Sequence, residues 1–146
     1  MSVATILIVE DNPDIREVLT RLLQSEGFSV IAAEDCAGGF EQLLRQKPDL
    51  VIADVMLPDY SGLQFIRWVR EQAGWTDLPV IAITAFEQGY LVAAKQLGAD
   101  AVVHKPEGLD HLTETIEAVL ALKERQQASL QPEEPYPSPQ DGKETT

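Results

Sequence analysis

The sequence has little that could crosslink it, bind zinc through thiolates or carry it through a membrane. Cys36 is the only cysteine in 146 residues, which excludes an internal disulfide and a cysteine zinc site within the chain. The apolar run at residues 3–9 lacks a basic leader and is too short for a signal peptide or a membrane span. No other run approaches spanning length, and we therefore expect a cytoplasmic protein without a membrane partner.

Positive charge is also scarce. The chain has 11 lysines and arginines against 24 acidic residues, a formal net charge of −13. Such a charge repels phosphate backbones and anionic lipids, so we expect no nucleic-acid partner. It suits a surface that collects divalent cations, although most of these acids are expected on solvated helix faces.

Short apolar runs typical of strands alternate with longer segments in which apolar residues recur at helical spacing. Strands are predicted at residues 6–9, 28–32, 50–53, 80–83 and 101–103. Five β-α units with short connections imply an α/β fold, a parallel sheet with helices on both faces.

The composition changes after about residue 125. Four prolines fall among Glu, Gln, Ser and Asp, and only Leu130 and Tyr136 are available for burial. Such a segment cannot bury enough surface to offset its ordering entropy. We therefore predict one folded domain at residues 1–126 and a disordered, acidic, proline-rich tail at residues 127–146.

Polar side chains follow four of the predicted strands. They are Glu10 and Asp11, Asp54, Thr84 and Lys105. Each could have an ordinary role as a helix cap, a turn residue or a solvated side chain. Ligands of parallel sheets, however, bind at the carboxyl ends of the strands, and three carboxylates meeting there would repel one another unless cations compensate.

A magnesium site would provide that compensation. Lys105 supplies one positive charge, and a divalent ion with oxygen ligands would supply the rest, as Mg²⁺ does in proteins. Glu10 and Asp11 would hold the ion directly or through water, together with Asp54. The backbone carbonyl of Met56 is a further candidate ligand.

Phosphoryl acceptance is the reaction that such a pocket favours. An Asp carboxylate can form an aspartyl phosphate, and Asp54 follows the middle strand. Lys105 would pair with one phosphoryl oxygen and the Thr84 hydroxyl with another. The contact to Thr84 exists only in the phosphorylated state, so it could bias a loop between two conformations.

The segments that carry these residues also form a recognisable set. In order they are residues 6–12 (ILIVEDN), 49–58 (DLVIADVMLP), Gly62, 79–85 (PVIAITA), 98–100 (GAD) and 105–106 (KP). At these spacings the set resembles the receiver domain of bacterial two-component response regulators, over residues 4 to about 125.

The resemblance implies a flavodoxin-like, doubly wound, five-stranded sheet of order 2-1-3-4-5 with five helices. It implies Mg²⁺-dependent phosphotransfer to Asp54 from a histidine kinase or phosphotransfer protein. Slow self-dephosphorylation would follow, and no other enzymatic activity is expected. We expect a stand-alone receiver acting on an unidentified downstream protein, and association through helix 4, strand 5 and helix 5 would give a homodimer. The Lys105–Pro106 peptide is expected to be cis.

One position departs from the family pattern. Receivers usually carry Tyr or Phe three residues before the lysine, where the ring couples to movement of the threonine, and here that residue is Val102. Phe86 and Tyr90 could substitute or could simply pack. A pseudo-receiver that binds proteins without being phosphorylated therefore stays open as the alternative.

Two other classes fit the sequence less well. A phosphohydrolase of the haloacid dehalogenase kind needs a second Asp two residues after the nucleophile, where this chain has Met56. A flavodoxin-type electron carrier needs a first loop that cradles a phosphate, whereas residues 10–13 (EDNP) would repel one.

Overall fold

The computed structural model describes residues 3–72, 75–84, 88–105 and 110–130, with the main chain alone described at 88–91 and 127–130. The strands are β1 (Thr5–Val9), β2 (Ser29–Ala33), β3 (Leu50–Asp54), β4 (Val80–Thr84) and β5 (Ala101–His104). The helices in this part of the chain are α1 (Pro13–Ser25), α2 (Cys36–Arg45), α3 (Gly62–Glu71), α4 (Gln88–Gln96) and α5 (Leu112–Leu130).

All five strands form one parallel sheet of order β2-β1-β3-β4-β5. The chain moves outward from β1 to one edge, returns, and then fills the other side. This is the doubly wound α/β sheet predicted from the sequence. It places β1 and β3 side by side at the point where the strand order reverses, which is where ligands of such sheets bind.

A hydrophobic core lies on each face of the sheet. Leu7 and Val9 point to the layer formed by α2, α3 and α4, and Ile6 and Ile8 point to the layer formed by α1 and α5. Because alternate residues of a strand face opposite layers, a strand covered on both faces must be apolar throughout. That is why the strand runs in the sequence are continuous rather than alternating.

Local sequence signals fix several helix ends. The Asn12 side chain accepts hydrogen bonds from the Asp14 and Ile15 amides at the start of α1. Ser61 and Gln64 form a capping box at the start of α3. After α1, Gly27 adopts a positive φ of 95°, which glycine allows without steric cost and which directs the chain into β2.

Helix α2 forms although glycines at residues 38 and 39 weaken its propensity. A Cβ on Gly39 would lie 3.0 Å from both Phe65 of α3 and Val9 of β1. The missing side chain therefore allows α2 to approach the sheet closely, and tertiary packing outweighs propensity.

Helix α5 extends to Leu130, so the predicted domain boundary at residue 126 falls inside it. The expectation of disorder is wrong for residues 127–130. These residues are Gln, Gln, Ala and Leu, which are adequate helix formers, and no helix-breaking residue occurs before Pro132. The rest of the predicted tail, residues 131–146, lies outside the described residues.

Within the described ranges, no helix combines the length and the apolar character that crossing a membrane requires.

Candidate functional site

Four polar side chains are buried in the part of the chain that the structure describes. They are Glu10, Asp54, Thr84 and Lys105, all between 0% and 7% exposed. Each lies at or just beyond the carboxyl end of a different strand, as the sequence predicted. Burial of polar groups is costly unless they are paired, so their concentration at one edge of the sheet marks the candidate site.

Lys105 connects the site across the sheet. Its Nζ atom lies 2.8 Å from Glu10 Oε1 and 2.9 Å from Asp54 Oδ2. Its backbone amide donates to the carbonyl oxygen of Thr84 at 2.7 Å. Lys105, the first residue after β5, is thereby bonded to residues at the carboxyl ends of β1, β3 and β4.

The environment keeps Lys105 charged. Burial by itself would lower the pKa of the ammonium, but hydrogen bonds and charge attraction from Glu10 and Asp54 more than offset that effect. The pKa of Lys105 is therefore raised above its ordinary value, and the side chain carries its proton throughout the physiological pH range.

The acids are more numerous than the cations that face them. Glu10, Asp11 and Asp54 each place a carboxylate oxygen within 4.8 Å of those of the other two. Burial raises the pKa of Glu10, the bond from Lys105 opposes that shift, and the charge of Asp54 raises the pKa further. Three carboxylates outnumber the Lys105 ammonium, so the excess negative charge and the oxygen donors fit one divalent cation. Asp11 is exposed and leaves the cluster open to solvent.

The Asp54 carboxylate is held at both oxygens. Oδ2 accepts from Lys105, and Oδ1 accepts from the Met56 amide at 2.9 Å. The Met56 side chain is 41% exposed. The proposed role of the Met56 carbonyl as a metal ligand, and that of the Thr84 hydroxyl, stay predictions.

Gly62 provides the space that Asp54 needs. A Cβ built on Gly62 would overlap the carbonyl oxygen of Asp54, and the Gly62 amide donates to the Val55 carbonyl at 2.7 Å. The first turn of α3 therefore packs directly on the end of β3. The sequence singled out Gly62 as part of a motif but gave no physical reason for it.

Two further residues contact the site region and were missed from the sequence. Arg16 of α1 donates to the backbone carbonyls of Glu10 at 2.8 Å and of Asp11 at 3.3 Å. Asp59, in the β3–α3 connection, accepts from the amides of Cys36 and Ala37 at 3.0 Å each. The contact of Asp59 has no local sequence signal, because its partners lie more than twenty residues away in the chain.

Val102 lies in β5, at the position where receivers usually carry Tyr or Phe. Val102 is half-buried, pairs with Ala82 across the β4–β5 ladder and packs against the core on the α2–α4 face. Phe86, Pro106 and the side chain of Tyr90 lie outside the described residues. The expected cis peptide and the two candidate aromatic substitutes are therefore not tested.

Comparison with known proteins assigns the family. The model of the response regulator receiver domain matches residues 6–117. The phosphate regulon transcriptional regulatory protein PhoB of Klebsiella pneumoniae is 40% identical over 116 residues, which are 79% of this chain and 51% of that protein. Protein PilH of Pseudomonas aeruginosa is 36% identical over 119 residues, 81% of this chain and 98% of its own length.

Solved structures agree in fold. The response regulator protein TrrA of Thermotoga maritima, solved in complex with Mg(2+)-BeF, is 31% identical, with a TM-score of 0.72 over 80% of this chain and 98% of its own. A response regulator from Chloroflexus aurantiacus is 28% identical, with a TM-score of 0.79 over 82% of this chain and 99% of its own. The chain belongs to the receiver domain family of two-component response regulators. It spans about half the length of PhoB, the first curated relative given above.

Proposed function

We propose that this receiver domain is a phosphorylation switch in which Asp54 accepts a phosphoryl group from a histidine kinase or phosphotransfer protein. The observation that carries the proposal is the buried bridge from Lys105 to Glu10 and Asp54, 2.8 and 2.9 Å long, within a cluster in which carboxylates outnumber the ammonium. Structural ion pairs have no need of such an excess, whereas a site that collects a cation and a phosphoryl group does.

Mg²⁺ is the cofactor that this donor set fits. Glu10, Asp11 and Asp54 would hold it, with the carbonyl of Met56 as a further candidate ligand. When bound, the ion neutralises negative charge on the transferring phosphoryl group. The likeness to the Thermotoga protein, whose structure contains Mg(2+)-BeF, supports this assignment.

The transfer itself uses groups that already surround Asp54. A carboxylate oxygen of Asp54 attacks the phosphorus of the donor phosphohistidine, the P–O bond forms as the P–N bond breaks, and the donor imidazole leaves with the electron pair. The Met56 amide and Lys105 hold the two Asp54 oxygens in place beforehand. Lys105 then pairs with a phosphoryl oxygen, and the Thr84 hydroxyl donates to another.

Hydrolysis resets the switch. Water attacks the phosphorus, the bond to Asp54 breaks, and inorganic phosphate leaves the carboxylate free. We propose that slow self-dephosphorylation of this kind is the only turnover of the domain, so that it is not an enzyme toward other substrates.

The output is proposed to be a change in protein binding. We place association at α4, β5 and α5, where Val92 and Leu122 are 57% and 47% exposed, with a downstream protein or with a second copy as the partner. The net charge of −13 supports neither a nucleic-acid nor a membrane partner. The pseudo-receiver alternative is not favoured, because Glu10, Asp54 and Lys105 remain connected.

Mass spectrometry after incubation with Mg²⁺ and acetyl phosphate or phosphoramidate tests the proposal. We expect the wild-type chain to gain the mass of one phosphoryl group and Asp54→Asn to gain none. EDTA should abolish the gain. Asp49→Asn is the matched control, because Asp49 precedes the same strand at its other end and is exposed. It should be phosphorylated like the wild type. No gain in the wild-type chain would refute the proposal.

A further inference from the structure

Asp59, in the β3–α3 connection, binds the start of a different helix. Its Oδ1 atom accepts from the Cys36 amide at 3.0 Å, and its Oδ2 atom accepts from the Ala37 amide at 3.0 Å. The next amide of α2, that of Gly38, is capped locally by Asp35 at 2.7 Å. The first amides of a helix have no partner inside it. At α2, therefore, two of these donors are bound by a residue that lies 22 and 23 positions further along the chain.

A second contact, made by Cys36, holds the same β3–α3 connection. Cys36 is fully buried, and its Sγ atom lies 3.4 Å from the carbonyl oxygen of Tyr60. Burial, reinforced by the negative charge of Asp59, raises the pKa of the thiol to about 12. The thiol is therefore protonated and donates to that carbonyl, so the loop covers Cys36 and is bonded to it.

The loop also carries groups that touch the phosphoryl acceptor. Three residues before Asp59, the Met56 amide donates to Asp54 Oδ1 at 2.9 Å. At the other end of the loop, Gly62 packs against the Asp54 carbonyl and donates to Val55. Residues 55–61 are thus attached to the acceptor at both ends, and to α2 in between.

We propose that Asp59 is a positioning residue for phosphoryl acceptance. By binding the amides at the start of α2, it holds the 55–61 loop in the conformation that places the Met56 backbone against Asp54. The proposal rests on the proposed function of Asp54. It adds that closure of the loop over Cys36 and occupation of the site at Asp54 are coupled. By linkage, each must favour the other to the same extent.

Cys36 reports on the loop directly, since it is the only thiol in the chain and the loop covers it. The full chain is treated with a thiol reagent, and the labelling rate is measured. We expect Asp59→Ala to label about ten-fold faster, because charge-assisted hydrogen bonds that keep the loop closed are lost. Asp59→Asn removes the same negative charge, which raises the pKa of Cys36, but retains an oxygen for the Cys36 amide. It should stay within about three-fold of the wild type, so the difference between the Ala and Asn variants reports on the loop and not on the acidity of the thiol. Equal rates in all three proteins would overturn the loop contact, whatever the function.

Phosphorylation provides the second readout. Under acetyl phosphate and Mg²⁺, we expect Asp59→Ala to be phosphorylated about ten-fold more slowly, a loss of one to two charge-assisted hydrogen bonds, with recovery in Asp59→Asn. Asp35→Ala removes the local cap of the same helix without touching the loop, and it should react at the wild-type rate. A wild-type rate in Asp59→Ala would overturn the positioning role, as would an equal loss in Asp35→Ala.

Coupling is tested with beryllofluoride and Mg²⁺ as the phosphoryl mimic. Bound at Asp54, the mimic should slow labelling of Cys36 in the wild type and leave the rate in Asp54→Asn unchanged. If the wild-type chain is neither phosphorylated nor protected, the proposed function fails and the coupling is overturned with it. If it is phosphorylated but not protected, the coupling alone is overturned and the proposed function stands.

Discussion

The two ends of the sheet each hold a cluster of charged side chains, and the clusters differ in the sign of their charge and in how fully their groups are hydrogen-bonded. At the amino ends of β4 and β5 lies the amino-end cluster, formed by Arg70, Asp100 and Lys123. Arg70 lies 2.9 Å and Lys123 lies 3.1 Å from the Asp100 carboxylate. All three side chains are between 16% and 21% exposed, so both ion pairs are largely shielded from water.

In the amino-end cluster two cations face one carboxylate, and backbone groups provide most of the remaining hydrogen bonds. The guanidinium of Arg70 also donates to three backbone carbonyls, those of Trp75, Leu78 and Gly98, at 2.6–3.2 Å. The Asp100 carboxylate accepts in addition from the Val80 amide at 2.8 Å. These bonds join the end of α3, the α3–β4 connection, the α4–β5 connection and α5.

The carboxyl-end cluster, formed by Glu10, Asp11, Asp54 and Lys105, is unbalanced. Three carboxylates face one ammonium, and two of the three acids are buried. A cluster whose groups are hydrogen-bonded contributes stability to the fold as it stands. An excess of carboxylates leaves repulsion that a cation can relieve, and functional sites commonly lower the stability of a fold in this way. The contrast identifies which end of the sheet is structural and which end is open to a ligand.

Breaking the amino-end cluster should have the largest effect on stability. Arg70→Met removes the Arg70 bonds to three carbonyls, of which that of Trp75 keeps a bond from the Leu78 amide, and it weakens the pairing of Asp100. We expect the free energy of unfolding to fall by about 3 kcal/mol, as measured by urea denaturation. Arg67→Met is the matched control on the same helix, since Arg67 and Glu71 form a pair that is 69% and 59% exposed. It should change stability by less than about 1 kcal/mol. Similar losses of stability in Arg70→Met and Arg67→Met would show that the amino-end cluster contributes no more than an exposed ion pair.

Removing one carboxylate from each cluster should have opposite effects on the free energy of unfolding. Asp100→Asn leaves two cations facing a neutral group, and we expect a loss of about 2 kcal/mol. Asp54→Asn relieves repulsion at the other end while Lys105 keeps Glu10, and we expect a gain of about 1 kcal/mol without divalent ions. Urea denaturation in EDTA measures both.

Magnesium provides the internal control for this pair. Added Mg²⁺ should stabilise the wild type and Asp100→Asn alike, because both keep the three carboxylates, and should stabilise Asp54→Asn less. A loss of stability in Asp54→Asn under EDTA would show that the carboxyl-end cluster holds no net repulsion.

The sequence predicts the sheet and the carboxyl-end cluster for the same reason. Strands buried on both faces are continuous apolar runs, and residues that directly follow parallel strands must meet at one edge. Glu10, Asp54, Thr84 and Lys105 were found in this way. Contacts that depend on how two connections or helices pack leave no such pattern in the sequence. Arg70 and Asp100 are 30 residues apart, Asp59 and Cys36 are 23 apart, and no local pattern links either pair. The predicted domain boundary at residue 126 falls inside α5 because it was based on composition, although no helix-breaking residue occurs before Pro132.

Substitution of Asp59 should have the smallest effect on stability. Asp59 lies at the carboxyl end of the sheet, where its carboxylate is exposed to solvent and accepts hydrogen bonds from backbone amides. Burial acts to raise the pKa of its carboxyl, but the amides of Ala37, Cys36 and Tyr60 outweigh it, and the pKa is lowered. A carboxyl with a lowered pKa in the folded state stabilises the fold above its unfolded pKa of about 3.9, and this contribution is lost as the pH falls through the folded value. We therefore expect the thermal midpoint of the wild type to exceed that of Asp59→Asn at neutral pH, with a gap that narrows steadily below about pH 4. Because both proteins share every other acid, the difference between their two pH profiles isolates Asp59. A gap that stays constant on acidification would mean that the Asp59 carboxylate makes no charge-dependent contact with α2, and that the loop is held closed by the Cys36 thiol and by packing alone.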